Sequence, residues 1–240
     1  MTRTVLFIRN EHMATEAMLG EAFDECGYEV ATFDVVPADR VDTPDVEVTF
    51  PNPRDYDVIV PLGARWSVYD ETLRRGWVGA EMDMLRDAAT AGVATLGVCF
   101  GGQLIAQAFG GTVARSATPE IGWYDVQTDD DALIPGGRWF QWHFDRWTVP
   151  PGATEIARTA NNSQAFVLGR ALALQFHPEL DEALLELWID GDHDSELEAL
   201  GLTADGLREA TRELLPDAAA RIRRLVRAFS ERVVAQPCPS

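Results

Sequence analysis

Lysine is absent from the 240-residue chain, so its 20 positive side chains other than histidine are all arginine. That absence removes phosphate cradling by a Walker A loop, Schiff-base catalysis and Ser–Lys hydrolysis. Cysteine is scarce. The three present, Cys26, Cys99 and Cys238, are too few and too scattered for a disulfide framework, and no CxxC zinc pair occurs. Long apolar runs are missing as well: none approaches the ~18 residues that a membrane span needs. The stretch Val5–Ile8 is too short for the core of a signal peptide. A cytoplasmic protein without a membrane partner is expected. Positive charge is in deficit. Against 39 acidic residues the net charge is −19, with a pI near 4.4. Such a field repels phosphate backbones, so nucleic acid is not an expected partner.

What is present is globular composition: 46% hydrophobic and 25% charged, which argues against disorder. Thr4–Ile8 reads as a buried strand. Glu11–Cys26 sets Met18, Ala22 and Cys26 at helical spacing, with Gly27 as a stop signal. Glu29–Asp34 and Asp57–Pro61 read as strands. A helix is expected from about Trp77 to Ala91, ended by Gly92, then a strand at Val93–Val98 and a helix to about Phe109. Strands separated by helices imply a parallel sheet covered on both faces. From Thr112 to Gln175, short β-like runs and turn signals (Gly136-Gly137, Pro150-Pro151-Gly152, Asn161-Asn162) point to antiparallel additions at the sheet edge. Ala171–Phe176 is a further buried strand. Beyond Leu180 the pattern is helical, through Leu184, Leu187 and Trp188, then Leu207, Ala210 and Leu214, then Ile222, Leu225, Val226 and Phe229. Arg221, Arg223, Arg224 and Arg227 on the last stretch read as a solvated basic face, and Gln236–Ser240 as a frayed tail.

Chemistry concentrates at Gly97-Val98-Cys99-Phe100-Gly101, a G-x-C-x-G segment between a strand and a helix. This is the cysteine form of a nucleophile elbow, in which the neighbours two before and two after the nucleophile must be small. The following helix points its positive N-terminus at the sulfur. The same turn aims the Phe100 N–H at an attacked carbonyl, half of an oxyanion hole. An isolated cysteine ending a strand is more often a buried core thiol, as Cys26 is expected to be. Here the flanking glycines and the strand–helix setting favour a nucleophile.

A nucleophile of this kind needs a base oriented by a third group. The strand Ala171–Phe176 runs into His177-Pro178-Glu179. In extended chain, positions two apart share a face, and Pro178 biases His177 toward that conformation. Glu179 is therefore placed to orient the imidazole. The chain order Cys, His, Glu differs from the Ser, Asp, His order of α/β-hydrolases. Of the other histidines, His12 is expected to open a helix at the surface. His193 lies in the polar loop Asp190–Asp194, which lacks calcium-loop spacing, so no metal site is expected. His143 sits in the aromatic run Trp139–Asp145.

Together, Gly-x-Cys-x-Gly-x-Gln at 97–103 followed by Gly110-Gly111, and Gln-Phe-His-Pro-Glu at 175–179, resemble the class I (triad) glutamine amidotransferases. Within that family the chain is most similar to stand-alone proteins like the glutaminase domain of GMP synthase. The resemblance implies an α/β, flavodoxin-like, mostly parallel sheet flanked by helices. Residues 1–182 would form the amidotransferase domain, and 183–240 a helical extension packed on it. It implies Cys99 as nucleophile, His177 as acid/base and Glu179 as orienter, with no cofactor. Gln103 matches a substrate-contacting glutamine. Trp142 and His143 match positions whose backbone contacts the glutamine α-carboxylate and amine. The second oxyanion donor would come from Leu62-Gly63-Ala64-Arg65, where Ala64 replaces the family's glycine and Arg65 its proline. Alanine donates there only with a negative φ or under strain, so the hole is expected to form in a complex. Trp142 replaces a serine, which thickens the pocket wall.

Three functions follow as alternatives. A glutaminase subunit would pass ammonia to a separate synthase, since the chain carries no Gly-rich nucleotide loop. A free-standing hydrolase would cleave a γ-glutamyl amide or peptide by the same thioester chemistry. A non-catalytic glutamine-binding protein would have lost triad residues, and all three are present.

Overall fold

A computed structural model describes residues 2–191 and 195–235. His193, Cys238 and the tail Gln236–Ser240 lie outside the described residues. The β-branched run near the start forms β1 (Arg3–Glu11), and β2 (Tyr28–Val36), β3 (Val58–Pro61) and β4 (Ala94–Val98) follow. The middle of the chain gives β5 (Val113–Thr128), β6 (Gly137–Trp147), β7 (Thr154–Arg158), β8 (Ser163–Leu168) and β9 (Ala171–Leu174). All nine join one sheet in the order β2-β1-β3-β4-β9-β8-β7-β5-β6. The pairs from β2 to β9 are parallel, and those from β9 to β6 are antiparallel. The antiparallel additions expected at the edge are thus a four-strand half of the sheet.

Both faces of the parallel half are covered, as its near-continuous apolar strands require. Val5 and Phe7 face one hydrophobic cluster, and Leu6 and Ile8 face the other. The first cluster lies under α1 (Ala17–Glu25) and α6 (Ala204–Phe229), where Phe23 and Phe229 meet edge to face at 6.3 Å. The second lies under α3 (Trp77–Ala91) and α4 (Phe100–Ala108). Helix α3 ends as expected at Gly92, whose φ of +73° completes a left-handed cap.

Several boundaries differ from the sequence reading. The helix expected from Glu11 starts at Ala17, because β1 pairs with β2 as far as Glu11 and Val36. His12 therefore lies in the turn after β1, exposed as expected, rather than opening a helix. A short α2 (Glu71–Arg75), capped by the Asp70 carboxylate on the Thr72 and Leu73 N–H groups, precedes α3. Strand β9 stops at Leu174, three residues before His177. The two helical stretches after 204 are one helix that passes through Pro216. Its arginines are not merely solvated: Arg223 pairs with Glu25 at 3.0 Å and Arg224 with Asp131 at 3.3 Å. Cys26 is half-buried against the first cluster.

Candidate active site

The carboxyl ends of β1, β3, β4 and β9 lie side by side in the sheet, which is where ligand crevices open in parallel folds. Cys99 follows β4 directly. Its φ of +51° and ψ of −108° are strained for a residue with a Cβ, and its N–H is held by the Leu174 carbonyl at 2.8 Å. The flanking glycines explain how the chain turns there. A Cβ on Gly97 would stand 2.6 Å from the Gly101 carbonyl oxygen, and one on Gly101 would stand 2.0 Å from that of Pro61. Phe100 opens α4, so its N–H has no partner within the helix and faces the elbow.

His177 is reached after β9 ends, in a bend fixed from two sides. Its N–H bonds the Phe140 carbonyl of β6 at 2.9 Å, and the Glu179 carbonyl accepts from the Met18 N–H of α1 at 3.1 Å. The imidazole Nδ1 lies 2.7 Å from Glu179 Oε1, with both side chains buried. Burial opposes charge on the ring. The negative charges at Glu179 and Cys99 outweigh it and push the His177 pKa up to about 10. Nε2 is buried on the side of Cys99, with which the ring interacts, and makes no other hydrogen bond among the described residues.

The loop after β3 abuts both groups: a Cβ on Gly63 would lie 3.3 Å from His177 Cε1 and 3.9 Å from the Cys99 Cβ. Ala64, next in the loop, is free of the anticipated strain. Among described non-glycine residues only Ala17, Cys99 and Ser195 have positive φ. Arg65 anchors the loop through a 2.7 Å ion pair with the buried Glu11, doing with charge what a proline ring does by stiffness. Farther along, Ser67 and Tyr69 donate to the Asp145 carboxylate of β6 at 2.6 and 3.0 Å, tying the loop to the strand that carries Trp142 and His143.

These groups line a cavity of about 500 Å³ that includes Cys99, Gln103, Trp142, His143, His177 and Glu179. The structure therefore gathers the triad, Ala64 and the three expected substrate-contacting residues at one crevice. The Trp142 carbonyl oxygen lies 3.9 Å from the Cys99 sulfur, and its indole N–H donates to Glu196 at 2.7 Å. Both ring nitrogens of His143 are engaged by the protein. Its Nδ1 meets the Asp145 carbonyl at 3.0 Å and its Nε2 meets the buried Glu120 at 3.1 Å. Burial raises the Glu120 pKa, but hydrogen bonds from His143 and Thr159 outweigh it, and the carboxyl sits below its ordinary range.

Two neighbours went unnoticed in the sequence. Trp188, from α5 (Glu182–Asp190), packs its indole on the His177 ring. Gln175 donates from Nε2 to the Cys99 sulfur at 3.7 Å. Its place in the motif at 175–179 was the available signal; Trp188 had none beyond helical spacing. Among the described residues no cluster of metal-binding side chains occurs. Among them, no helix is long and apolar enough to cross a membrane.

The sequence profile of the family described as "Glutamine amidotransferase class-I" matches residues 15–184. The chain is 37% identical over 97 residues to a glutamine-hydrolysing GMP synthase of Aeropyrum pernix, which covers 37% of this chain and 19% of that protein. It thus spans about a fifth of that synthase. It is 29% identical over 136 residues to one subunit of the glutamine-hydrolysing GMP synthase of Sulfurisphaera tokodaii, covering 53% of this chain and 69% of that one. A solved glutamine amidotransferase of Thermotoga maritima superposes with a TM-score of 0.81 at 26% identity, over 98% of this chain and 100% of the other. With the profile match extending over most of its length, and a flavodoxin-like α/β sheet carrying the elbow and the His-Pro-Glu bend, the chain belongs to the class I glutamine amidotransferases, a family of enzymes.

Proposed function

We propose that the protein hydrolyses the side-chain amide of L-glutamine through a cysteinyl thioester and delivers ammonia to a separate synthase. The observation that carries this is the His177–Glu179 pair at 2.7 Å, lodged against the loop that also touches Cys99 on its strained elbow. Cys99 Sγ attacks the amide carbon, and the charge that develops on oxygen is met by the N–H groups of Phe100 and Ala64. Protonated His177 gives its Nε2 proton to the departing nitrogen, and ammonia leaves. Water, deprotonated by the same nitrogen, then opens the thioester and releases glutamate. Glu179 keeps the ring oriented throughout. Gln103 and the backbone of Trp142 and His143 hold the substrate. Support for a separate synthase comes from the Sulfurisphaera relative, which is itself named as one subunit of a GMP synthase. In this reading the amidotransferase domain runs to residue 182, and 183–240 is an extension that shares its core.

A second reading has one observation in its favour. A cavity of about 500 Å³ falls within the roughly 300–1,000 Å³ that holds drug-sized ligands, so a γ-glutamyl amide or peptide bulkier than glutamine also fits. The deciding experiment is turnover by the purified chain, offered glutamine and a panel of γ-glutamyl amides, with ammonia or amine and glutamate both measured. Cys99→Ala is expected to lose several powers of ten in rate while still folding. Retention of more than about a hundredth of the wild-type rate overturns the nucleophile assignment. Preference for a conjugate over glutamine selects the second reading.

A further inference from the structure

Because β4 and β9 are parallel and in register at Val98 and Leu174, the residues just beyond them, Cys99 and Gln175, emerge side by side. Gln175 is fully buried and its own N–H is held by the Gln164 carbonyl at 2.9 Å. It does not line the cavity. Its Nε2 points at Cys99 Sγ across 3.7 Å. Its other amide atom, Oε1, accepts from Gln103 Nε2 at 3.4 Å. The two contacts agree on one orientation of the amide. With the oxygen held by Gln103, the nitrogen is left for the sulfur.

The sulfur sits between opposite poles. The Trp142 carbonyl oxygen at 3.9 Å can accept from a thiol S–H and repels a thiolate. A neutral thiol is a poor acceptor for a buried amide donor, whereas a thiolate makes a charge-assisted bond. A fully buried amide N–H therefore gains most when the sulfur is negative. We infer that Gln175 is a further catalytic residue, a side-chain donor that stabilises the Cys99 thiolate, with Gln103 as the positioning residue that orients it. The inference rests on the reading of Cys99 as nucleophile.

Alkylation by iodoacetamide tests it without any need for turnover. The rate at Cys99 is followed against pH in the full chain by mass mapping, with Cys99→Ser as the blank for the other cysteines. In Gln175→Met, close in volume but without the donor, alkylation at neutral pH is expected to be at least tenfold slower, with its pH midpoint moved upward. Gln175→Glu, isosteric and negative, is expected to be slower still, and it decides the matter if the Met variant does not fold. Gln103→Met is expected to slow alkylation a fewfold in the wild-type background and not at all in Gln175→Met. Loss of packing alone would lower the melting temperature without moving the pH midpoint. Wild-type alkylation rates and midpoint in either folded Gln175 variant overturn the inference and leave the nucleophile standing. A Cys99 inert in the wild-type chain overturns both.

Discussion

The Trp188 indole stands against the His177 imidazole with ring centroids 4.7 Å apart and planes at 68°. Its Nε1 donates to the Met13 carbonyl at 3.1 Å, so the ring is tethered at its far edge. Trp142 meets it edge to face at 5.9 Å, extending the wall from the base to the crevice. Trp188 lies beyond residue 184, where the family profile ends, so residues outside the profile match supply part of the surroundings of His177. Trp188→Ala is expected to lower kcat/KM for glutamine by about tenfold or more through a mis-set imidazole, with Trp188→Phe retaining most of it. Full activity in Trp188→Ala would show that Glu179 alone holds the ring.

The raised pKa of His177 sets a pH window for stability. Its unfolded value is about 6.5 and its folded value about 10, so the folded protein binds the extra proton between them. The stabilisation is fully present below about 6.5 and is lost as pH rises through about 10. The melting-temperature advantage of the wild type over His177→Gln is therefore expected to shrink between pH 7 and pH 10.5. In turnover, Glu179→Gln is expected to be milder than His177→Ala, since an orienting group is partly replaceable and a proton carrier is not. Equal losses in folded variants would contradict those roles.

Ala64→Gly is expected to leave glutamine hydrolysis by the isolated chain within a fewfold of wild type, or to lower it. The alanine has no left-handed φ to relieve, and glycine adds chain entropy to a loop pinned by Arg65 and Glu11. A rise in basal rate on this substitution would mean that the free loop is held away from its working geometry.

Glu81, in α3, is fully buried, and burial, opposed only in part by a hydrogen bond with Asn10, pushes its pKa up to about 8. The unfolded carboxyl releases its proton near 4.5, so the fold loses stability relative to a neutral side chain as pH climbs from there through about 8. Glu81→Gln is expected to raise the melting temperature little at pH 4.5 and by several degrees at pH 8, at about 2–4 °C for each kcal/mol. A pH-independent difference would show that ionisation of Glu81 is not the cause.

The elbow was legible because its requirements are local. Gly97 and Gly101 are needed by the turn itself, and Gly92 by the helix end. The parallel half of the sheet was legible because it is apolar on both faces. What escaped depended on partners distant in sequence. Nothing near Glu11 announces that β2 keeps pairing with β1 to that point, and nothing near residue 177 announces that its N–H turns to the Phe140 carbonyl of β6. Gln175 lay in view within the motif, yet its role depends on the register of β9 against β4, which a linear reading does not contain.

The Leu174 carbonyl that ends β9 receives the Cys99 N–H, and three residues later the same chain presents His177. The proposed nucleophile and base thus hang from one strand as from a common ruler. Insertions in the surface turns among β5 to β8 alter what approaches the crevice without altering the span between sulfur and imidazole. A single-residue change in length between Leu174 and His177 resets that span directly. In this architecture the approach to the chemistry is free to vary, while its dimensions are set by three residues of backbone and by the Phe140 and Met18 contacts that fix the bend.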